Sequence, residues 1–215
     1  VSTAPKQSKA DRRAEARAEQ LAAFKKKEAA QKRNRFLAIG LSILGVLAVV
    51  ALVATVIVVN LPKPTDPALL DTVQTWDGLE QTHVEGTVEY EMSPPAGGPH
   101  FAGWLNCGVY SEPQADEQAV HSLEHGAIWI TYDPALPESE VATLRDRLPD
   151  SYAVLSPYPG LDAPIAVSAW GAQLKFAEAD DPALDAFITT YWRSADAPEP
   201  GAPCDGAIDG PGKES

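Results

Sequence analysis

From Phe36 to Val59 the chain runs for 24 consecutive residues without an ionisable side chain, FLAIGLSILGVLAVVALVATVIVV. At about 1.5 Å per residue this makes a helix of roughly 36 Å, longer than a hydrocarbon core of about 30 Å. Only Ser42 and Thr55 carry side-chain hydrogen-bonding groups, and both can return their hydroxyls to the preceding turn. A long helix in a soluble core nearly always keeps one polar stripe, and this run has none. It reads as a transmembrane helix.

Its flanks predict an orientation. Lys32, Arg33 and Arg35 abut the run, with Lys25, Lys26 and Lys27 upstream, whereas only Lys63 lies close on the other side. The positive-inside rule then keeps the N-terminus in the cytoplasm and exports the rest as an extracytoplasmic domain of a single-pass cell-membrane protein. A cleaved signal peptide would have a shorter apolar region and a small-x-small cleavage site. Asn60-Leu61-Pro62-Lys63-Pro64 follows instead, so the expectation is an uncleaved signal anchor.

The formal charge of −13 divides the same way. Residues 1–35, a basic cytoplasmic tail, hold 11 Lys/Arg against 4 Asp/Glu; residues 60–215 hold 6 against 26. So acidic an outer part excludes nucleic acid as a partner, because phosphates require a basic surface. The lipid bilayer is the expected partner. The helix-favouring composition of residues 10–32 suits a helix whose cations orient the chain and meet anionic lipid.

Beyond the span (36–59) the composition marks a Pro-rich linker (60–69, with Pro62, Pro64 and Pro67), a foldable exported domain (70–195) and a Pro/Gly-rich tail (196–215). The tail is expected to be irregular unless Cys204 ties it down. Within the domain, Glu117–His125 is spaced for a short helix ended by Gly126, and Ala127–Tyr132 reads as a buried strand. Pro137–Leu148 reads as a helix with Val141, Leu144 and Leu148 on one face. Tyr152–Leu155 and Ile165–Ala169 read as strands. Asp181 caps a last helix, with Pro182 in its first turn and Leu184, Phe187, Ile188 and Tyr191 as its apolar face. The class is α+β: a small sandwich with helices on one face of a mainly antiparallel sheet, and a loop-rich, histidine-containing segment over residues 77–116.

That segment and the helix after it hold every histidine of the chain, His83, His100, His121 and His125, with the single methionine, Met92, and one of two cysteines, Cys107. Imidazole, thioether and thiolate bind copper and zinc, so all five of His83, His100, His121, His125 and Met92 are candidate ligands, Met92 favouring Cu(I). The alternative is that the histidines are polar supports in a loop-rich core. His121-Ser-Leu-Glu124-His125 places two imidazoles at i and i+4 on one helix face, the H-x-x-E-H order in which Glu124 would act as general base on zinc-bound water. Against a hydrolase, Gly126 ends the helix at once. Gly97 and Gly98, before His100, permit close approach of a ligand or of the chain itself. Trp104, Trp129 and Trp170 read as core aromatics. In an oxidising compartment Cys107 and Cys204 make one disulfide, which removes Cys107 from the ligands and pins the tail to the histidine segment.

Thr82-His83-Val-Glu-Gly86, Tyr90, Pro94-Pro95-x-x-Gly98-Pro99-His100, Trp104, Cys107-Gly108-Val109-Tyr110, Val120-His121-Ser-Leu-Glu124-His125-Gly126, Ser156-Pro157-Tyr158 and Ala169-Trp170-Gly171 together resemble domain-of-unknown-function family 3105 over about residues 75–195. The sequence departs at Ala96-Gly97, where a hydroxyl residue commonly precedes Gly-Pro-His, and at Ala102-Gly103, where Pro often follows. The resemblance implies a bacterial, mainly actinobacterial, single-span envelope protein, and it implies no reaction. Three functional readings follow. The first is an anchored domain that binds copper or zinc. The second is a non-enzymatic accessory subunit of a larger membrane assembly, which the small residues Gly40, Gly45, Ala48 and Ala51 would serve as a packing face. The third is a zinc hydrolase.

Overall fold

A computed structural model describes residues 9–60 and 66–214. The expected connector at Pro62 to Pro64 lies outside the described residues. Contacts divide the chain into two compact units, Val1–Pro62 and Lys63–Ser215.

The first unit is one helix, α1 (Lys9–Asn60), so the basic stretch and the apolar run are continuous rather than two elements. Ser42 and Thr55 donate their hydroxyls to the carbonyls of Ala38 and Ala51, at 2.9 and 2.8 Å, which satisfies both donors within the helix. Phe36, Leu41 and Leu44 are 75, 70 and 64 % exposed, and the most apolar window, with mean hydropathy 2.9, is wholly unburied. α1 is long and apolar enough to cross a membrane.

The second unit is built on one six-stranded sheet. In chain order its elements are a 3-10 turn (Pro67–Leu70), β1 (Gln74–Thr75), β2 (Gly108–Val109), α2 (Asp116–Glu124), β3 (Ile128–Tyr132), α3 (Glu138–Asp146), β4 (Ala153–Pro157), β5 (Ile165–Ala169), β6 (Ala172–Phe176) and α4 (Pro182–Tyr191). The strand order is β1-β6-β5-β3-β4-β2. β5 pairs antiparallel with β3 and β6, and β6 with β1, whereas β4 runs parallel to both β3 and β2. The sheet is thus mixed, because α3 carries the chain back along the sheet before β4 begins.

The period of two along the strands separates two cores. Ile128, Ile130, Leu155, Ile165, Val167 and Leu174 join Leu144 of α3 and Leu184 and Phe187 of α4 on one face, with Leu69 and Leu70 of the 3-10 turn against them. Trp129 and Val154 point the other way, into Leu105, Tyr110 and the Ala119 and Leu123 of α2. The expectation of helices on a single face is corrected: α2 and the loop-rich segment cover the second face. Asp181 caps α4, accepting from the Ala183 amide at 2.8 Å, with Pro182 following as read from the sequence. β6 escaped the sequence reading. Its polar Gln173 is buried, donating to the Pro94 carbonyl at 2.7 Å and to Ser168 Oγ at 2.9 Å.

Among its described residues the tail forms no helix, yet it is stitched to the second face. Cys107 and Cys204 are disulfide-bonded with Cα atoms 5.4 Å apart, and no cysteine is free. The Cys107 amide donates to Cys204 O at 2.7 Å, Asn106 N to Ile208 O at 2.8 Å and Glu214 N to Val109 O at 2.8 Å. Beside it, Gly126 terminates α2 at φ +95°, where a Cβ would stand 3.3 Å from the Arg193 Cα. Gly126→Ala is therefore expected to lower unfolding stability by about 1–2 kcal/mol, read by urea denaturation. An unchanged midpoint would show that the backbone shifts freely there.

Candidate metal centre

Three separate stretches bring the histidines together. α2 carries His121 and Glu124, and His125 follows as its C-terminal cap; the i, i+4 rings stand 4.6 Å apart between centroids. His83 and His100 are set side by side by backbone pairing: Val84 N donates to His100 O at 2.8 Å and His100 N to Thr82 O at 3.0 Å. Phe101 N donates to Glu117 O at 3.2 Å, which locks the His100 loop against α2. Gly97, at φ +135°, admits Leu79 and Trp170 where a Cβ would meet them at 2.7 and 3.2 Å. The close approach foreseen for the glycines is made by the chain.

The rings of His83, His100 and His121 lie 4.8–5.0 Å apart, all three pairwise. Donor atoms of His83, His100, His121 and Glu124 all fall within 4.8 Å of one another, and those of His121, His125 and Glu199 do the same. Glu124 Oε2 is 2.9 Å from His100 Nε2 and 3.9 Å from His121 Nε2; Glu199 Oε2 is 3.5 Å from His125 Nε2. His83 and Glu199 are exposed, and the other members are buried.

The other ring nitrogen of each buried histidine is taken by a backbone carbonyl. Nδ1 of His100 donates to Gly98 O at 2.8 Å, that of His121 to Phe101 O at 2.7 Å and that of His125 to Pro203 O at 2.7 Å. A proton held on Nδ1 leaves the Nε2 lone pair free, the tautomer arrangement found in metal-ligating histidines. His100 Nε2 is buried and faces Glu124 Oε2 across 2.9 Å. Burial lowers the pKa of all three imidazoles, His121 to about 4, and raises that of Glu124 to about 7, Glu199 adding to the rise. Neutral imidazoles are the ligating form.

Met92 is also buried, but on the wall of a different cavity of about 400 Å³, lined by Asp77, Leu79, Tyr90 and Gly97 among others and by none of the histidines. Cys107 is spent in the disulfide. Of the tryptophans, Trp129 is core and Trp170 packs against the same core while meeting the His100 ring at 5.8 Å; Trp104 meets the rings of His125 and His121 at 5.0 and 5.7 Å. Glu199 went unnoticed in the sequence because it sits in a stretch of biased composition. Its amide donates to Glu124 O at 3.0 Å and the Gly201 amide to His125 O at 3.3 Å, which brings it to α2.

The sequence pattern of the family described as "protein of unknown function (DUF3105)" matches residues 83–206, more than half of the chain. The chain belongs to the DUF3105 family. The match begins at His83 and reaches past Cys204, so it takes in all four histidines, both glutamates of the cluster and the disulfide. No curated protein and no solved structure matches the chain.

At the N-terminus of α2, Tyr158 O–H donates to Asp116 Oδ2 at 3.1 Å, while burial pushes the Asp116 carboxyl up to about 6. A carboxyl whose folded pKa exceeds its unfolded value, 3.8, binds protons more tightly when folded. Its ionisation therefore removes stability as pH rises from about 4 to about 6. Asp116→Asn should match the wild type near pH 3.5 and gain on it by about 3 kcal/mol at pH 7, measured by paired urea titrations. A pH-independent difference would refute the assignment.

Proposed function

We propose that this DUF3105 protein is a membrane-anchored extracytoplasmic domain that binds a transition-metal ion, zinc or copper(II), at the cluster of His83, His100, His121 and Glu124. The observation that carries this reading is the set of buried imidazoles whose Nδ1–H groups are committed to carbonyls while their Nε2 atoms converge beside a carboxylate. An imidazole set completed by carboxylate oxygen suits zinc and copper(II), whereas Cu(I) calls for softer donors such as Met92. The apolar run of α1, with Lys32, Arg33 and Arg35 just before it, supports the anchor, and the disulfide suits an oxidising compartment.

A hydrolase needs the Glu124 carboxylate free to take a proton from metal-bound water. Its oxygen lies at ligand spacing from His100, so we assign it to binding rather than to catalysis. The test is elemental analysis of the full chain, purified in detergent without a histidine tag and dialysed against zinc or copper(II). Bound metal that is lost on His100→Asn supports the reading. Absence of both metals, with an unshifted melting curve after either is added, would sink it.

A further inference from the structure

We propose that the cluster is a two-ion centre, with a second divalent transition-metal ion held by His125, Glu199 and His121 beside the first at His83, His100 and Glu124. This rests on the metal reading above and moves His121 from the first ion to the second. Two donor sets meet at His121, whose Nδ1 is already committed to Phe101 O, so its single Nε2 lone pair serves one ion only. The distances divide the donors. For bonds of about 2.0–2.1 Å, two ligands of a tetrahedral ion stand about 3.3–3.4 Å apart, and no two ligands of one ion exceed about 4.2 Å. His125 Nε2 and Glu199 Oε2, at 3.5 Å, fit one tetrahedral edge. His100 Nε2 and Glu124 Oε2, at 2.9 Å, fit the nearly right-angled edge of another ion. His121 Nε2, at 3.9 Å from Glu124 Oε2, would subtend an angle of about 140° with that oxygen on a shared ion, wider than a tetrahedral edge, so it is assigned to the ion of His125 and Glu199.

In the first half the buried His100 Nε2 faces Glu124 Oε2 at 2.9 Å. In the second half Trp104 Nε1, on the indole that packs against His125 and His121, is buried without a hydrogen-bond partner among the described residues. An indole N–H only donates, so an oxygen bound to the second ion, water or hydroxide, is the acceptor this place calls for. Each ion then has two imidazoles and one carboxylate, and each set has one exposed member through which the ion enters: His83 for the first and Glu199 for the second.

The experiment is a zinc titration of the untagged full chain in detergent by equilibrium dialysis, with copper(II) EPR as a second readout. The wild type should take up two zinc ions, and two copper(II) ions should give a dipolar-broadened spectrum. Glu199 is exposed and its side chain pairs only with His125 among the ion pairs of the described residues, so Glu199→Gln should fold normally. It should weaken the second ion by about 10–100-fold or more, leave the first within about threefold, and restore a sharp one-ion spectrum. Saturation of the wild type at one zinc would overturn the two-ion centre and leave the proposed function standing, whereas no bound zinc would overturn both. Retention of two ions of unchanged affinity in Glu199→Gln would remove Glu199, and with it this second site.

Discussion

Replacing Cys107 and Cys204 together by serine is expected to lower unfolding stability by about 4–5 kcal/mol. The loop closed by this bond spans 97 residues, and in the chain-entropy description a cross-link of that length removes close to that amount of freedom from the unfolded state. For a unit of this size the melting temperature should fall by roughly 10 °C or more. The loss should also be local. Pro203, next to Cys204, supplies the carbonyl that orients the His125 ring, and Glu199 reaches α2 through the same strap. Hydrogen exchange at Glu199 and Gly201 should accelerate in the variant more than exchange in β3 or β5. A melting point unchanged within about 2 °C would mean that the backbone bonds from Asn106, Ser111 and Glu214 hold the tail without covalent help.

His100→Asn is expected to have the largest effect on metal affinity, a loss of at least about 100-fold, since one ligand is removed from a closed set. Asparagine can still donate to Gly98 O in place of Nδ1, so the loop keeps its bond while the Nε2 position disappears. The consequence reads out in stability as well. Metal at 100 times its dissociation constant stabilises the native state by about 2.7 kcal/mol, which raises the melting point by several degrees. The variant should melt at the same temperature with and without metal. If the apo variant is itself much less stable than apo wild type, His100 is chiefly a packing residue, and the equality would lose its meaning. Glu124→Gln is the companion measurement, because it removes the charge and leaves the size. It should reduce affinity while sparing the apo fold, whose buried carboxyl is already pushed towards its neutral form.

Where the local pattern decides the structure, the sequence was enough. α4 begins at the Asp181 cap and the Pro182 first turn because both act within their own turn, and Gly126 ends α2 because a left-handed residue does so anywhere. β5 was readable to the residue, since a run of five β-branched and small residues between turns admits little else. β6 was not. Gln173 and Lys175 interrupt its apolar pattern, and Gln173 becomes tolerable only once Pro94 and Ser168 arrive to accept its hydrogen bonds. The face to which α2 packs was equally hidden, for its apolar residues say that it is covered and not by what.

The site divides along the same line. His121, Glu124 and His125 were legible together because helical geometry puts i, i+3 and i+4 side by side. The candidate ligands also included His83 and His100, but nothing local says that a strand-like pairing would align the two, or that Met92 would turn into another cavity. Glu199 lies 74 positions from its partner His125, in a tail whose composition argues for irregularity. By itself, then, the amino-acid order determined an apolar helix long enough for a bilayer, the class of the outer domain, the disulfide and the histidine-rich segment. Those follow from near-neighbour chemistry and from the small number of ways to pair two thiols. The tertiary structure alone decided which donors share a centre, because convergence at a few ångströms depends on contacts between residues far apart in the chain.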